Sequence, residues 1–147
     1  MPPLPQVLIA DDDSNQIVLL QVAIQKASLP VGSFRFFSDG SPLKQYLENM
    51  PGSSTKPDLL LTDLNMPGMD GFEIINWVRA HPLFANLPIV VMSSSSEPED
   101  QERAMELGCN RFLIKPSNVA DLAKILTELY ILFADDLFKH APDLASS

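Results

Sequence analysis

Short apolar runs alternate with amphipathic segments along the chain. The runs have the length of strands and contain few polar positions, which is typical of strands buried on both faces of a parallel sheet. The segments between them carry apolar residues every three or four positions, as a helix with one buried face does. The runs lie at residues 7–10, 34–37, 59–62, 89–92 and 111–114. This alternation predicts one α/β domain whose parallel sheet is doubly wound and covered by helices on both faces.

Polar residues, glycine and proline mark where the predicted helices begin and end. The first helix begins at Ser14, and the second has Ser41 as its N-cap and Pro42 as its first residue. Gly108 ends the fourth helix. The buried stripe of the first helix is predicted to consist of Ile17, Leu20, Ile24 and Ala27. The third, fourth and fifth helices are predicted to begin at Phe72, at Glu97 and after a cap at Ser117 or Asn118.

Four of the five predicted strands end in a side chain with useful chemistry. The first ends in Asp11 and Asp12, the third in Asp63, the fourth in Ser93 and the fifth in Lys115. Because the carboxyl ends of parallel strands share one edge of a sheet, these side chains are expected to lie together. Crowded carboxylates repel each other unless a cation lies between them, and Mg²⁺ prefers such oxygen ligands. Taken singly, each residue also has an ordinary structural explanation, as a helix cap, a loop hydroxyl or a solvated lysine.

The expected cluster suits phosphoryl chemistry. The ammonium group of Lys115 and the hydroxyl group of Ser93 can both contact a phosphate oxygen. A carboxylate in such a site can attack phosphorus and form an aspartyl phosphate, a reaction that depends on positioning and charge neutralisation more than on a general base. No histidine is required, and His81 and His140 are expected to lie elsewhere on the surface.

Composition and charge exclude several classes of binding partner and site. The chain has 147 residues, a net charge of −9 and a pI near 4.4, which argues against binding nucleic acid or an anionic membrane surface. Its single cysteine, Cys109, excludes an internal disulfide and a cysteine-rich metal site, and is interpreted as a small apolar filler. Because neither a signal peptide nor a long apolar run is found, the chain is expected to be soluble and cytoplasmic.

These residues give the chain a resemblance to the receiver domain of two-component response regulators, of the chemotaxis-regulator type. The matching features are Asp11-Asp12 after the first strand, Asp63 ahead of the sequence LNMPGMDG, Ser93, and Lys115-Pro116. The resemblance covers residues 6–133 and implies a flavodoxin-like three-layer sandwich with strand order 2-1-3-4-5. It leaves residues 1–5 as a flexible lead-in and residues 134–147 as a helix extension and tail.

The resemblance also implies a role for each site residue. Asp63 would be the phosphoacceptor, and its phosphoryl group would come from a phosphohistidine on a sensor histidine kinase or a phosphotransfer protein. Mg²⁺ would be held by Asp12, Asp63 and the backbone carbonyl of Asn65, with Asp11 acting mainly through a bound water. This assignment makes the chain a phosphorylated, magnesium-dependent signalling domain.

Further expectations from the resemblance concern switching. Ser93 and Lys115 would contact the phosphoryl group, and Phe112 would swing inward behind Ser93 as the aromatic switch residue. An ordinary core aromatic is the alternative interpretation of Phe112. The output would be a population shift at the surface formed by the fourth helix, the fifth strand and the fifth helix. The family also implies a cis peptide bond between Lys115 and Pro116.

The C-terminal segment is more apolar than a helix end that faces only water. Its apolar residues lie on more than one helix face and include Tyr130, Ile131, Leu137 and Phe138. Pairing with a second copy of the chain would cover them, and so would folding back on the same domain. The homodimer is favoured, because some stand-alone receivers, including those that pair with phytochrome-type kinases, carry such extensions.

The sequence therefore predicts a stand-alone response regulator that signals by contact with an unidentified downstream target protein. It is not expected to be an enzyme beyond weak self-phosphorylation and self-dephosphorylation. One alternative is a receiver fold that no longer takes phosphate, and another is a receiver fragment of a larger regulator or hybrid kinase. A phosphatase of the haloacid-dehalogenase type is a third, because Asp11 and Asp13 have its Asp-x-Asp spacing, but the Thr or Val expected to follow is missing.

Overall fold

Strands and helices alternate throughout the computed structural model, which describes residues 6–29, 33–50 and 56–134. The strands are β1 (Gln6–Ala10), β2 (Ser33–Phe37), β3 (Leu59–Thr62), β4 (Ile89–Ser93) and β5 (Arg111–Ile114). The helices are α1 (Ser14–Ala27), α2 (Gly40–Glu48), α3 (Gly71–Ala80), α4 (Pro98–Leu107) and α5 (Val119–Ala134). None of these helices is long and apolar enough to cross a membrane. The predicted lead-in at residues 1–5, and His140, Leu137 and Phe138, lie outside the described residues.

The five strands form one sheet in the order β2-β1-β3-β4-β5, and all neighbouring strands are parallel. Ala10 lies opposite Phe37 on one side and Thr62 on the other, while Ser93 lies opposite Ile114. Because every strand runs in the same direction, the residues that follow the strands emerge at one edge. The predicted flavodoxin-like fold and its strand order are confirmed.

Two hydrophobic clusters cover the two faces of the sheet. One contains residues of α2, α3 and α4, among them Leu43, Ile75 and Ala104. The other contains residues of α1 and α5, among them Leu20 and Leu122. Successive residues of the central strands β3 and β4 belong alternately to the two clusters, as expected for strands in the middle layer of a sandwich.

The buried stripe of α1 differs from the predicted one. Gln16, Leu20 and Ala23 are buried, whereas Ile17 and Ile24 are only partly covered. The face of a helix that packs on a sheet is decided by tertiary contacts, and these override a pattern based on hydrophobicity alone. A polar side chain therefore occupies an interior position close to the carboxyl edge of β1.

The predicted cap of α2 is also wrong. The N-cap is Asp39, whose carboxylate accepts a hydrogen bond from the backbone N–H of Ser41 at 2.6 Å, so the helix begins at Gly40. Aspartate is as good an N-cap as serine, and here it comes two residues earlier in the chain. At α5 the Oδ1 atom of Asn118 accepts from the N–H of Asp121 at 2.8 Å, which selects Asn118 over Ser117 as the cap.

Candidate functional site

Lys115 joins two buried carboxylates at the carboxyl edge of the sheet. Its Nζ atom lies 2.9 Å from Asp11 Oδ2 and 2.9 Å from Asp63 Oδ2. Asp11 and Asp63 are only 3% and 6% exposed. The backbone N–H of Lys115 donates to the carbonyl oxygen of Ser93 at 2.8 Å. The structure thus brings together the residues that follow β1, β3 and β5 with the last residue of β4.

Backbone hydrogen bonds hold both carboxylates in place. Asp11 Oδ1 accepts from the N–H of Asp13 at 2.9 Å, and Asp63 Oδ1 accepts from the N–H of Leu64 at 2.7 Å. Each carboxylate therefore uses one oxygen for the local backbone and the other for Lys115. The N–H of Asp63 donates to the carbonyl of Ala10 at 2.9 Å, which ties the end of β3 to the end of β1. Rotation of either side chain would break a charge-assisted hydrogen bond.

Burial and neighbouring charges shift the pKa values of Asp11 and Lys115. Burial raises the pKa of Asp11, and the hydrogen bonds from Asp13 N–H and Lys115 oppose this shift. Burial alone would lower the pKa of Lys115, but its hydrogen bonds and charge interactions with Asp11 and Asp63 outweigh it, so the pKa is raised. Lys115 therefore keeps its positive charge at neutral pH.

Three carboxylates converge closely enough to hold one cation. Oxygen atoms of Asp11, Asp12 and Asp63 all lie within 4.8 Å of one another. Asp12 is exposed while the other two are buried, so the cluster can be reached from the solvent side. Because three carboxylates face a single ammonium group, the cluster keeps a net negative charge, and its hard oxygen donors fit Mg²⁺. Asn65 lies in an exposed position two residues after Asp63, and its carbonyl stays a predicted ligand.

Asp13 does not belong to this cluster. It is the exposed N-cap of α1, and its Oδ1 atom accepts a hydrogen bond from the N–H of Asn15 at 2.9 Å. A phosphatase that used an Asp-x-Asp pair would need Asp13 in the site together with Asp11. The position of Asp13 therefore disfavours the phosphatase interpretation.

A chain of hydrogen bonds leads from Ser93 to the first turn of α4. Ser93 is fully buried, and its Oγ atom accepts from the N–H of Ser95 at 3.1 Å. The hydroxyl of Ser95 donates to Asp100 Oδ2 at 2.7 Å and accepts from the N–H of Glu97 at 3.2 Å. Glu97, the N-cap of α4, makes no side-chain capping bond, so Ser95 supplies part of that function. This series of hydrogen bonds was not predicted from the sequence, in which the run of serines is its only signal.

Phe112 is partly buried and packs against the hydrophobic cluster that contains α2, α3 and α4. It therefore lies on the same face of the sheet as α4. This position fits a switch residue and an ordinary core aromatic equally well. The switching role of Phe112 stays a prediction.

The predicted cis bond between Lys115 and Pro116 is wrong. No peptide bond between the described residues is cis. The trans isomer of a bond to proline is intrinsically favoured by about 0.5–1 kcal/mol. Lys115 reaches both carboxylates with the trans bond, so the geometry of the cluster does not require the cis isomer.

Cys109 and His81 lie outside the acidic cluster. Cys109 is buried in the hydrophobic cluster that contains α2, α3 and α4, which confirms its interpretation as an apolar filler, and burial raises the pKa of its thiol to about 11. His81 is partly buried rather than open to solvent. Its ring centroid lies 5.0 Å from that of Trp77 and 4.8 Å from that of Phe84.

Comparison with known proteins agrees with this geometry. The family model for the response regulator receiver domain matches residues 7–127. The two-component response regulator ARR8 of Arabidopsis thaliana is 32% identical over 133 residues, which cover 81% of this chain and 58% of that protein. The chain thus spans less than two thirds of the length of that relative.

Solved structures show the same similarity. The phosphorylated cyanobacterial phytochrome response regulator RcpA matches with a TM-score of 0.78 and 26% identity, covering 88% of this chain and 94% of that one. The Mn²⁺-bound form of response regulator Rcp1 matches with a TM-score of 0.70 and 26% identity, covering 86% and 91%. The first of these neighbours is phosphorylated, and the second binds a divalent cation.

Proposed function

This chain belongs to the family of response regulator receiver domains, and from that premise we propose that Asp63 accepts a phosphoryl group from a phosphohistidine in the presence of Mg²⁺. The observation that carries the proposal is the position of Lys115, whose Nζ atom lies 2.9 Å from a carboxylate oxygen of Asp63 and 2.9 Å from one of Asp11. A positive charge thus stands where the charge of a phosphoryl group would need neutralising.

In the proposed reaction an Oδ atom of Asp63 attacks phosphorus. The P–O bond forms while the P–N bond of the phosphohistidine breaks, and the imidazole leaves with the bonding electron pair. Lys115 moves to a phosphoryl oxygen and stays oriented by Asp11. Bound Mg²⁺ would neutralise charge on the phosphoryl oxygens, held by Asp12, Asp63 and the carbonyl of Asn65, with Asp11 acting mainly through water.

The proposal as a whole is tested by incubating the chain with Mg²⁺ and either acetyl phosphate or a cognate kinase. A label that hydroxylamine removes is expected, as for an acyl phosphate, and it should map to the peptide that contains Asp63. Addition of EDTA should prevent labelling. A label on serine or histidine, or none with any donor, would count against the proposal and favour a receiver fold that only mediates protein contacts.

Replacing Asp12 is expected to weaken Mg²⁺ binding. Asp12→Asn removes the one exposed carboxylate of the cluster, so the dissociation constant for Mg²⁺ should rise at least about tenfold, or roughly 1.4 kcal/mol. Isothermal titration calorimetry with Mg²⁺ measures the change. Asp13→Asn is the matched control, because it removes the same charge next in sequence while asparagine still caps α1. Equal weakening in both variants would show that only net charge matters.

The proposed signal begins at Ser93. On phosphorylation its hydroxyl would turn toward the phosphoryl group, and Phe112 would move inward behind it. Ser93 Oγ now accepts a hydrogen bond from the N–H of Ser95, so this N–H would have to shift. The hydrogen bond from the Ser95 hydroxyl to Asp100 would then shift as well. The first turn of α4 would therefore change its population of conformations in response to the site.

Ser95→Ala is expected to loosen the first turn of α4 before any phosphorylation. The variant removes the hydroxyl that bonds Asp100 and Glu97, at a cost of about 1 kcal/mol in a partly exposed position. Amide hydrogen exchange in residues 99–102 should speed up about fivefold. Ser96→Ala changes an exposed serine in the same loop and should leave exchange unaltered. Unchanged exchange in both would show that Ser95 does not hold the helix.

The proposed partners follow from the same site. A sensor histidine kinase or a phosphotransfer protein would supply the phosphoryl group, and the similarity to the phytochrome response regulator RcpA supports a phytochrome-like kinase. Large apolar side chains are exposed on α4, β5 and α5, namely Met105, Ile114 and Ile131. They support a protein-contact surface there, used by the downstream target or by a second copy in a homodimer.

A further inference from the structure

A crevice the size of one water molecule lies between α1 and the carboxyl ends of β1, β3 and β4. Its volume is about 10 Å³, which is the lower limit for one ordered water and too small for a larger ligand. Both apolar and polar residues line it. They are Ile9, Ala10, Leu20, Leu61 and Met92 together with Asp11, Gln16, Thr62 and Asp63.

Gln16 lines this crevice, and its amide nitrogen has no hydrogen-bond partner among the described residues. Gln16 is only 6% exposed, and its buried Nε2 atom makes no hydrogen bond to any described residue. A buried donor that stays unpaired is destabilising, because it loses its bonds to water on folding and gains none. A water-sized space lined by polar residues, next to a buried donor without a partner, is the setting in which buried water is found.

We infer that the crevice holds one ordered water molecule. This water accepts a hydrogen bond from Gln16 Nε2 and donates to oxygen atoms of the other polar residues that line the crevice, namely Asp11, Thr62 and Asp63. Thr62 Oγ1 donates to the carbonyl of Asp63 at 2.9 Å, which leaves its lone pairs able to accept. The carboxylates of Asp11 and Asp63 also have lone pairs beyond those used by the backbone and Lys115. Gln16 is then a positioning residue that connects α1 to the acidic cluster. This inference does not depend on phosphoryl transfer.

Nuclear magnetic resonance of the full chain tests the water directly. Cross-peaks between water and the side-chain amide protons of Gln16 should show a residence time longer than that of surface water. Gln16→Met keeps the length of the side chain but has no donor. It should shift the carboxyl carbon resonances of Asp11 and Asp63, whereas Gln21→Met, at an exposed glutamine of the same helix, should not.

Thermal unfolding tests the inference independently, through the direction of the change in Tm. With the water bound, Gln16→Met loses its hydrogen bonds and the Tm falls below that of Gln21→Met. If the crevice is dry, Gln16→Met only removes an unpaired donor and the Tm rises. A higher Tm, a missing water cross-peak in the wild-type chain, or unchanged aspartate resonances in Gln16→Met would each overturn the inference.

Discussion

Asp63→Asn is expected to reduce phosphoryl labelling by acetyl phosphate or a kinase to background. Asparagine has the shape of aspartate, and its oxygen can still accept the N–H of Leu64 that now bonds Asp63 Oδ1. Lys115 keeps its ion pair with Asp11 Oδ2, so the side chain of Lys115 stays in place. What the variant lacks is a carboxylate oxygen able to attack phosphorus. The loss should therefore be chemical rather than structural.

A matched variant separates these two explanations. Asp39→Asn makes the same change at the N-cap of α2, where asparagine caps as well as aspartate, and it should label at the wild-type rate. Circular dichroism and urea unfolding of both variants should show folded chains. Label retained on Asp63→Asn at the wild-type level, or transferred to the Asp11-Asp12 peptide, would refute Asp63 as the acceptor.

The gathering of these side chains could be predicted because it depends on chain direction rather than on detailed packing. Four of the five apolar runs end in a side chain with useful chemistry, and the alternation of strands and helices places these side chains at one edge. Once the sheet is parallel, Asp11, Asp63 and Lys115 must emerge together, and the structure joins them through two contacts of 2.9 Å. Chain direction does not assign their proposed roles in phosphoryl transfer, which are supported by the position of Lys115 and by the resemblance to receiver domains.

The buried stripe of α1 and the N-cap of α2 could not be predicted, because tertiary packing decides both. The hydrophobic pattern of α1 pointed to Ile17, but the packing of α1 placed Gln16 against the sheet. A polar side chain in the interior has no signature in a pattern of apolar residues. The same holds for the cap of α2, where Asp39 and Ser41 are comparable caps two residues apart and only the fold selects between them.

Gly71→Ala is expected to destabilise the chain strongly. The N–H of Gly71 donates to the carbonyl of Leu64 at 2.9 Å, which presses the start of α3 against the turn after β3. A Cβ atom at Gly71 would overlap the carbonyl oxygen of Asp63 and lie 2.8 Å from Leu64 Cα. These are backbone atoms and cannot rotate away, so the free energy of unfolding should fall by about 3 kcal/mol, measured by urea denaturation.

Gly68→Ala provides the contrast, because it lies in the same turn but has a different constraint. Its φ of +72° disfavours alanine by about 1 kcal/mol, while a Cβ there would meet side-chain atoms rather than backbone, the nearest being Ser41 Oγ at 3.3 Å, which can shift by a few tenths of an ångström. Equal losses of stability in the two variants would show that the close approach at Gly71 is relaxed without strain.

Gly71→Ala is also expected to affect phosphoryl labelling. The clash at Gly71 falls on the carbonyl of Asp63, so any relaxation moves Asp63, the proposed phosphoacceptor. Gly71→Ala should therefore label more slowly than Gly68→Ala even where both are folded.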